Sequence, residues 1–477
     1  MNEQNLTEGL KKFLDESPVG LFAADNIRRM LKEQGYTEYS EGEAWTLVPG
    51  GKYFVMRNGS ALIAFQLPET VPAAPVSCHI TASHLDSPTF RIKSNAEVTV
   101  ENRYVTLNVE RYGGMLLAPW LDRPLSVAGR VMVRTAQGIE TRLLNIDRDL
   151  LIIPNVAIHM NREANDGYKW DMKQDLRPLL AGISGFTATS DSQKDDSKES
   201  DSDKLYEANK AGAEAQEKDA PGMAFRKLLA KELGVSCEDI VDTDLYLYNR
   251  EKATVLGLNG EFISSGRLDD LQCAYGTLQG FLTARPSDSI AVYCAFDNEE
   301  VGSMTKQGAD SSFLRCTLER ISAELGESRT QFMQSLASSF MISADNAHAV
   351  HPNHPELEDP THRPVPNGGI VIKYSANQKY TTDAVSGAVM KEICRKAGVP
   401  VQVFYNRSDL LGGSTLGNIS TSQLSLNTVD VGLAQLAMHS AYETAGVKDT
   451  EYLARACRAF FSGKIRAGKD GSWELEF

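Results

Sequence analysis

Residues 289–303 read SIAVYCAFDNEEVGS. Apolar residues run without a break through Ile290–Phe296, the pattern of a strand covered on both faces rather than one with a wet side. Asp297, Glu299 and Glu300 follow at once. Ligands of open α/β sheets collect at such carboxyl ends. Working outward, Val76–Ala82, Phe340–Ala344, Gly369–Lys373 and Val401–Tyr405 read as further buried strands. Helical stretches over Leu271–Ala284, Ala384–Ala397 and Gln435–Ala445 lie between or after them. Residues 53–57 and 61–66 pair around Asn58-Gly59, and Ser17-Pro18 opens a helix that ends near Gly35. Strands alternating with helices predict an α/β fold with a mainly parallel, covered sheet.

The texture changes from Ser94 to Met160, where Val98–Val100, Tyr104–Val109, Leu125–Val133, Glu140–Leu144 and Val156–Ile158 read as short strands between Gly, Asn and Asp. Ser190–Lys204 holds no apolar residue and cannot enter a core. The expected organisation is a discontinuous catalytic domain, 1–93 with 242–477, interrupted by a smaller β-rich domain over 94–241. That insert would contain a disordered acidic loop near 187–220. Neither flank has enough strands for a covered sheet of its own, so both must contribute to one.

Composition narrows the function. The 477 residues carry 49 Lys and Arg against 63 Asp and Glu, a net charge of −14. An acidic chain lacks the basic footprint of a nucleic-acid or anionic-membrane binder. No stretch nears the roughly 20 apolar residues of a membrane span, and the N-terminus lacks the basic flank and apolar run of a signal peptide. Seven cysteines, odd in number and without a CxxC pair, read as free thiols of a reducing compartment. The expected location is the cytoplasm.

Polar residues then gather at strand ends. His84 and Asp86 follow Val76–Ala82, and Asp345 follows Phe340–Ala344. Asp269 and Asp270 precede a helix, and His439 lies beyond Leu424–Val429. Each alone has a bland reading: a capping Asp, a solvated Glu pair, a hydrogen-bonded core His. Together, two imidazoles and several carboxylates suit Zn²⁺, Co²⁺ or Mn²⁺ better than Ca²⁺ or a Cys-rich structural zinc. There are more donors than one catalytic metal needs, which suits two ions about 3.5–4 Å apart with a shared carboxylate. Asp86 is spaced to orient His84, and of Glu299 and Glu300 one can bind metal while the other holds a water.

HLDSP at 84–88, GRLDDL at 266–271, DNEEVGS at 297–303, SADNAHAVHPNH at 343–354 and QLAMHSAYE at 435–443 together resemble the aspartyl aminopeptidase family, M18. IPNVAIHMNR at 153–162 and GGSTLG at 412–417 add to the likeness, which runs from about residue 8 to 465. The resemblance implies a zinc-exopeptidase-like fold with a β dimerisation domain, and a dodecamer built from dimers. It implies two Zn²⁺ per subunit, with Co²⁺ or Mn²⁺ as substitutes. His84 and Asp345 would hold one, Glu300 and His439 the other, and Asp269 would bridge them. Glu299 would be the general base and Asp86 would orient His84. His159 would reach a neighbouring subunit's site and stabilise the tetrahedral intermediate.

The substrates implied are peptides with a free N-terminus, preferably Asp or Glu. Lys373 is the candidate partner for an acidic side chain, supported by His348, His351 and Tyr380. A Leu-like preference, a dinuclear hydrolase acting on another bond, and a non-catalytic oligomeric scaffold stand as alternatives.

Overall fold

The computed structural model describes residues 3–182, 223–410 and 412–477. The acidic segment anticipated near 187–220 lies outside the described residues. The chain divides into two compact units, one of residues 1–89, 111–120 and 248–477, the other of residues 90–110 and 121–247.

A nine-stranded sheet forms the first unit. Its order is Thr37–Tyr39, Lys52–Arg57, Ala61–Gln66, Ile290–Phe296, Cys78–His84, Phe340–Ala344, Asn427–Gly432, Ile370–Tyr374 and Val401–Tyr405. The four strands from Ile290–Phe296 to Asn427–Gly432 are mutually parallel. Cys78–His84, from before the insert, lies between two strands from after it, so both flanks build one sheet. The period-2 pleat explains the apolar run of Ile290–Phe296. Ile290, Val292, Cys294 and Phe296 pack into one core with Phe313, Leu318 and Leu416. Ala291, Tyr293 and Ala295 enter the other, with Leu271, Leu278, Leu453 and Phe460. Helices therefore cover both faces, principally Leu268–Thr283, Ala384–Ala397 and Asp449–Ser462 on one and Phe313–Glu324 and Leu416–Gln423 on the other.

The second unit is built on a six-stranded sheet, ordered Gly138–Asn145, Leu125–Thr135, Ile240–Asn249, Thr89–Val100, Tyr104–Tyr112 and Leu179–Gly182. Ile240–Asn249 pairs antiparallel with Thr89–Val100, so a strand of this sheet runs across the boundary expected at residue 241. Leu107, Val127, Val131 and Leu247 fill its buried face.

Two local expectations fail. Gln435–Ala445 is not a helix but two short strands, Ala434–Leu436 and Glu443–Gly446, joined by a turn. Its Leu and Ala spacing imitates a helical face, yet Ala437 and His439 have φ of 57° and 65°, which no right-handed helix accepts. Val156–Ile158 is no strand either; all three residues are exposed in irregular chain leading into a turn.

Candidate metal centre

Cys78–His84 carries His84 at its last residue, fully buried, and Asp86 follows two residues on. The Asp86 carbonyl accepts from His84 Nδ1 at 3.0 Å, and Asp86 Oδ1 stands 3.4 Å from the same nitrogen. Nδ1 is therefore the protonated ring nitrogen and Nε2 is left with its lone pair. The Asp86 carboxylate is also the receiver of the next strand end. Its Oδ1 accepts from Glu299 N and its Oδ2 from Glu300 N, both at 3.1 Å. Tyr112 donates to Oδ2 at 2.8 Å and accepts from Asn298 Nδ2 at 2.7 Å. One carboxylate thus fixes both the imidazole and the turn bearing the two glutamates.

Asp269 lies in the first turn of Leu268–Thr283, where its φ/ψ of −83°/109° departs from the helix. Its two oxygens face opposite ways: Oδ1 is 3.4 Å from His84 Nε2, and Oδ2 is 3.3 Å from His439 Nε2. Asp345 Oδ1 is 3.9 Å from His84 Nε2, and Glu300 Oε2 is 3.4 Å from His439 Nε2. His439 Nδ1 donates to the Gly114 carbonyl, which again leaves Nε2 as the donor atom. Sequence reading had no signal for Gly114, whose segment belongs to the first unit although it lies between insert strands.

The electrostatics are those of a site built for cations. Burial pushes the Glu299 carboxyl up to about 8, with Asp345, Asp86 and Asp269 adding to the rise against His84. Burial likewise takes Asp345 to about 6 against the opposing charge of Lys373. Burial opposes charge on His439, but its ion pair with Asp269 holds it up at about 9. Burial opposes ionisation of Asp269 too, yet the two imidazoles win and hold its carboxyl far below the usual range. Asp269 Oδ1, Asp270 Oδ1 and Glu300 Oε1 are buried with no hydrogen-bond partner. Such orphans are expensive unless something fills them. Oxygen and imidazole donors converging on these points, with no thiolate among them, fit zinc. Among the described residues, two groups lie close enough to hold an ion: His84, Asp269 and Glu300, and Asp269, Asp270 and Asp345.

The remaining sequence-derived residues lie as follows. Lys373 is buried, and its Nζ donates to the carbonyls of Asp345 at 2.7 Å and Asn346 at 3.1 Å; Asp345 Oδ2 is 3.6 Å away. The Tyr380 ring lies 5.4 Å from that ammonium. His348 is exposed with its ring 6.0 Å from Phe404, and exposed His351 faces His354 at 5.3 Å. His159 is exposed in a turn of the second unit. Sequence reading named Asp270 beside Asp269 without giving it a role, and its Oδ2 accepts from His84 N at 3.1 Å; Tyr112 and Glu443 it missed. Tyr112 has no motif signal, while Asp270 and Glu443 sat unassigned inside quoted motifs.

A covered, mainly parallel sheet with imidazoles and carboxylates converging at its strand ends defines a metal-dependent hydrolase. The family profile described as "Aminopeptidase I zinc metalloprotease (M18)" matches residues 13–461. A Clostridium acetobutylicum protein named "Probable M18 family aminopeptidase 2" is 45% identical over 463 residues, 97% of this chain and 99% of its own. A Pseudomonas aeruginosa protein of the same name is 37% identical over 96% of this chain and 98% of its own. Among solved structures, Ape4 from its complex with Nbr1 shares 33% identity with a TM-score of 0.86, covering 96% of this chain and 86% of that one. The S. cerevisiae mApe1 dodecamer shares 25% identity with a TM-score of 0.78, covering 97% of each chain. The chain belongs to the M18 family, and it is a zinc-dependent aminopeptidase. The scaffold alternative falls away with that membership. Among the described residues, no helix is long and apolar enough to cross a membrane.

Proposed function

We propose that this aminopeptidase holds two zinc ions per subunit and releases N-terminal Asp or Glu from peptides with a free N-terminus. The observation that carries the two-ion reading is Asp269, whose oxygens face His84 on one side and His439 on the other. His84 and Asp345 would hold one ion, His439 and Glu300 the other, and Asp269 both. Co²⁺ or Mn²⁺ would substitute, since neither donor type excludes them. Bound zinc supplies Lewis acidity, polarising a carbonyl oxygen and bringing the ionisation of water toward neutral pH.

The chain's own residues do the rest. Asp86 keeps Nδ1 of His84 protonated and the glutamate turn in place. Glu299, which stands within ion-pair distance of neither imidazole, takes the proton of the attacking water on a carboxylate oxygen and passes it to the leaving amine nitrogen. His159 would donate to the developing oxyanion of a neighbouring subunit, in a dodecamer assembled from dimers. The dodecameric S. cerevisiae mApe1 supports that assembly. A cytoplasmic location agrees with seven cysteines that form no disulfide.

The acidic preference rests on Lys373, a buried cation at the Asp345 end of the site. His348, His351 and Tyr380 would line the same pocket. A Leu-like preference has its own support, because two Lys373 N–H groups are already spent on carbonyls and the third faces Asp345. The deciding measurement is kcat/KM on Asp-, Glu- and Leu-anilides. We expect Asp and Glu to lead Leu, and Lys373→Ala to narrow that ratio while lowering turnover on all three. A wild-type enzyme that cleaves Leu-anilide faster overturns the acidic reading.

A further inference from the structure

Glu443 begins the strand Glu443–Gly446 and is buried, with 1% of its surface accessible. Its Oε1 accepts the backbone N–H of His439 at 2.8 Å, and its Oε2 accepts that of Asp269 at 3.1 Å. One carboxylate therefore grips the main chain of two residues placed on the same metal. The two turns it joins mirror each other along the chain. Asp269 lies four residues after Ser265, which pairs with Glu443 across the sheet, and His439 lies four residues before Glu443. Arg267 and His439 both take left-handed backbone, φ 64° and 65°. Other bonds hold each turn singly, Ser87 Oγ to the Asp269 carbonyl at 2.8 Å and Leu116 N to the His439 carbonyl at 3.0 Å, whereas the Glu443 carboxylate bonds both.

We infer that Glu443 is a positioning residue that sets the separation of Asp269 from His439, and through it the affinity of the site for zinc. This rests on the reading that those two residues bind metal. The residue type follows from the geometry. Both groups facing Glu443 are N–H donors, and only a carboxylate offers an acceptor to each. A glutamine of the same shape turns its NH₂ against one of them whichever way it is flipped. Burial and the neighbouring Asp269 charge push its carboxyl up, while the two N–H groups it accepts from pull it back toward the charged form.

The test is a zinc titration of chelator-stripped full-length protein for wild type, Glu443→Gln, Glu443→Asp, His439→Ala and Asp269→Asn, with melting of each metal-free variant alongside. Glu443→Gln should melt cooperatively yet bind zinc about 10- to 100-fold more weakly, the usual cost of losing a ligand's support. At saturating zinc its kcat should fall with KM held. Glu443→Asp keeps two acceptors on a shorter stem and should fall between. It carries the test should the Gln variant fail to fold. Wild-type zinc affinity in both Glu443 variants, with affinity lost in His439→Ala, overturns the positioning role alone. Wild-type affinity in His439→Ala and Asp269→Asn overturns the metal-centre reading beneath it.

Discussion

Glu299 and Glu300 are adjacent, both half-buried, and held by the same Asp86 carboxylate, yet only Glu300 stands within ion-pair distance of an imidazole. The pair divides one chemistry into a ligand and a base. Glu299→Gln should retain zinc at wild-type stoichiometry while kcat falls about 10²- to 10⁴-fold, the range of a lost general base. Metal analysis beside steady-state kinetics checks both halves. Retained turnover would remove Glu299 from the reaction. The same residues set a pH response of the metal-free protein. Folding lifts the Glu299 and Glu443 carboxyls to about 8, chiefly by burial, and that of Asp449 to about 7. His439 rises to about 9. Between the unfolded values and these, the native state holds more protons than the unfolded state, so stability falls as pH rises. The melting midpoint of chelator-stripped protein should drop from pH 5 to pH 9, and zinc, standing in for the protons, should flatten the decline. A midpoint that climbs over this interval in stripped protein contradicts the sign.

At the scale of elements, the centre is made where strands stop and turns begin. The ends of Cys78–His84, Ile290–Phe296 and Phe340–Ala344 bring His84, Glu300 and Asp345 to one edge, and this much was legible because apolar runs announce parallel strands. His439 was legible as a residue but not as a place. The apolar spacing around it mimicked a helix, and apolar spacing does not encode the positive φ of Ala437 and His439 or the bond from the His439 N–H to the Glu443 carboxylate that accompanies it. Tyr112 and Gly114 escaped for a similar reason, acting through one hydroxyl and one carbonyl on a segment flanked by insert strands. The tight meeting of turns makes its own demand. A Cβ on Gly266 would lie 2.8 Å from the Ala441 carbonyl oxygen, so Gly266→Ala should force the Asp269 and His439 turns apart. We expect a loss of about 1–3 kcal/mol of stability, together with weaker zinc binding. Thermal melting and zinc titration of the variant read both, and unchanged values would show that the turns tolerate separation.

For the whole molecule, the question is why an enzyme whose ligand set lies in one unit carries a second unit on a separate sheet. The β insert places an exposed histidine, His159, among the exposed apolar residues Val156, Ile158 and Met160. Exposed apolar side chains beside a candidate oxyanion donor have a purpose if a second subunit covers them and receives the donor. That arrangement is testable without a structure of the assembly. His159→Ala alone should lower kcat and leave zinc content unchanged. Glu299→Gln alone should do the same for a different reason. Where the histidine serves its neighbour, an oligomer mixed from the two variants contains sites with an intact Glu299 and an intact His159 from the adjoining subunit. Dissociating and reassembling the two proteins together should then restore activity that neither shows when reassembled alone. A histidine acting within its own subunit gives no recovery, because every mixed site still lacks one of the two groups.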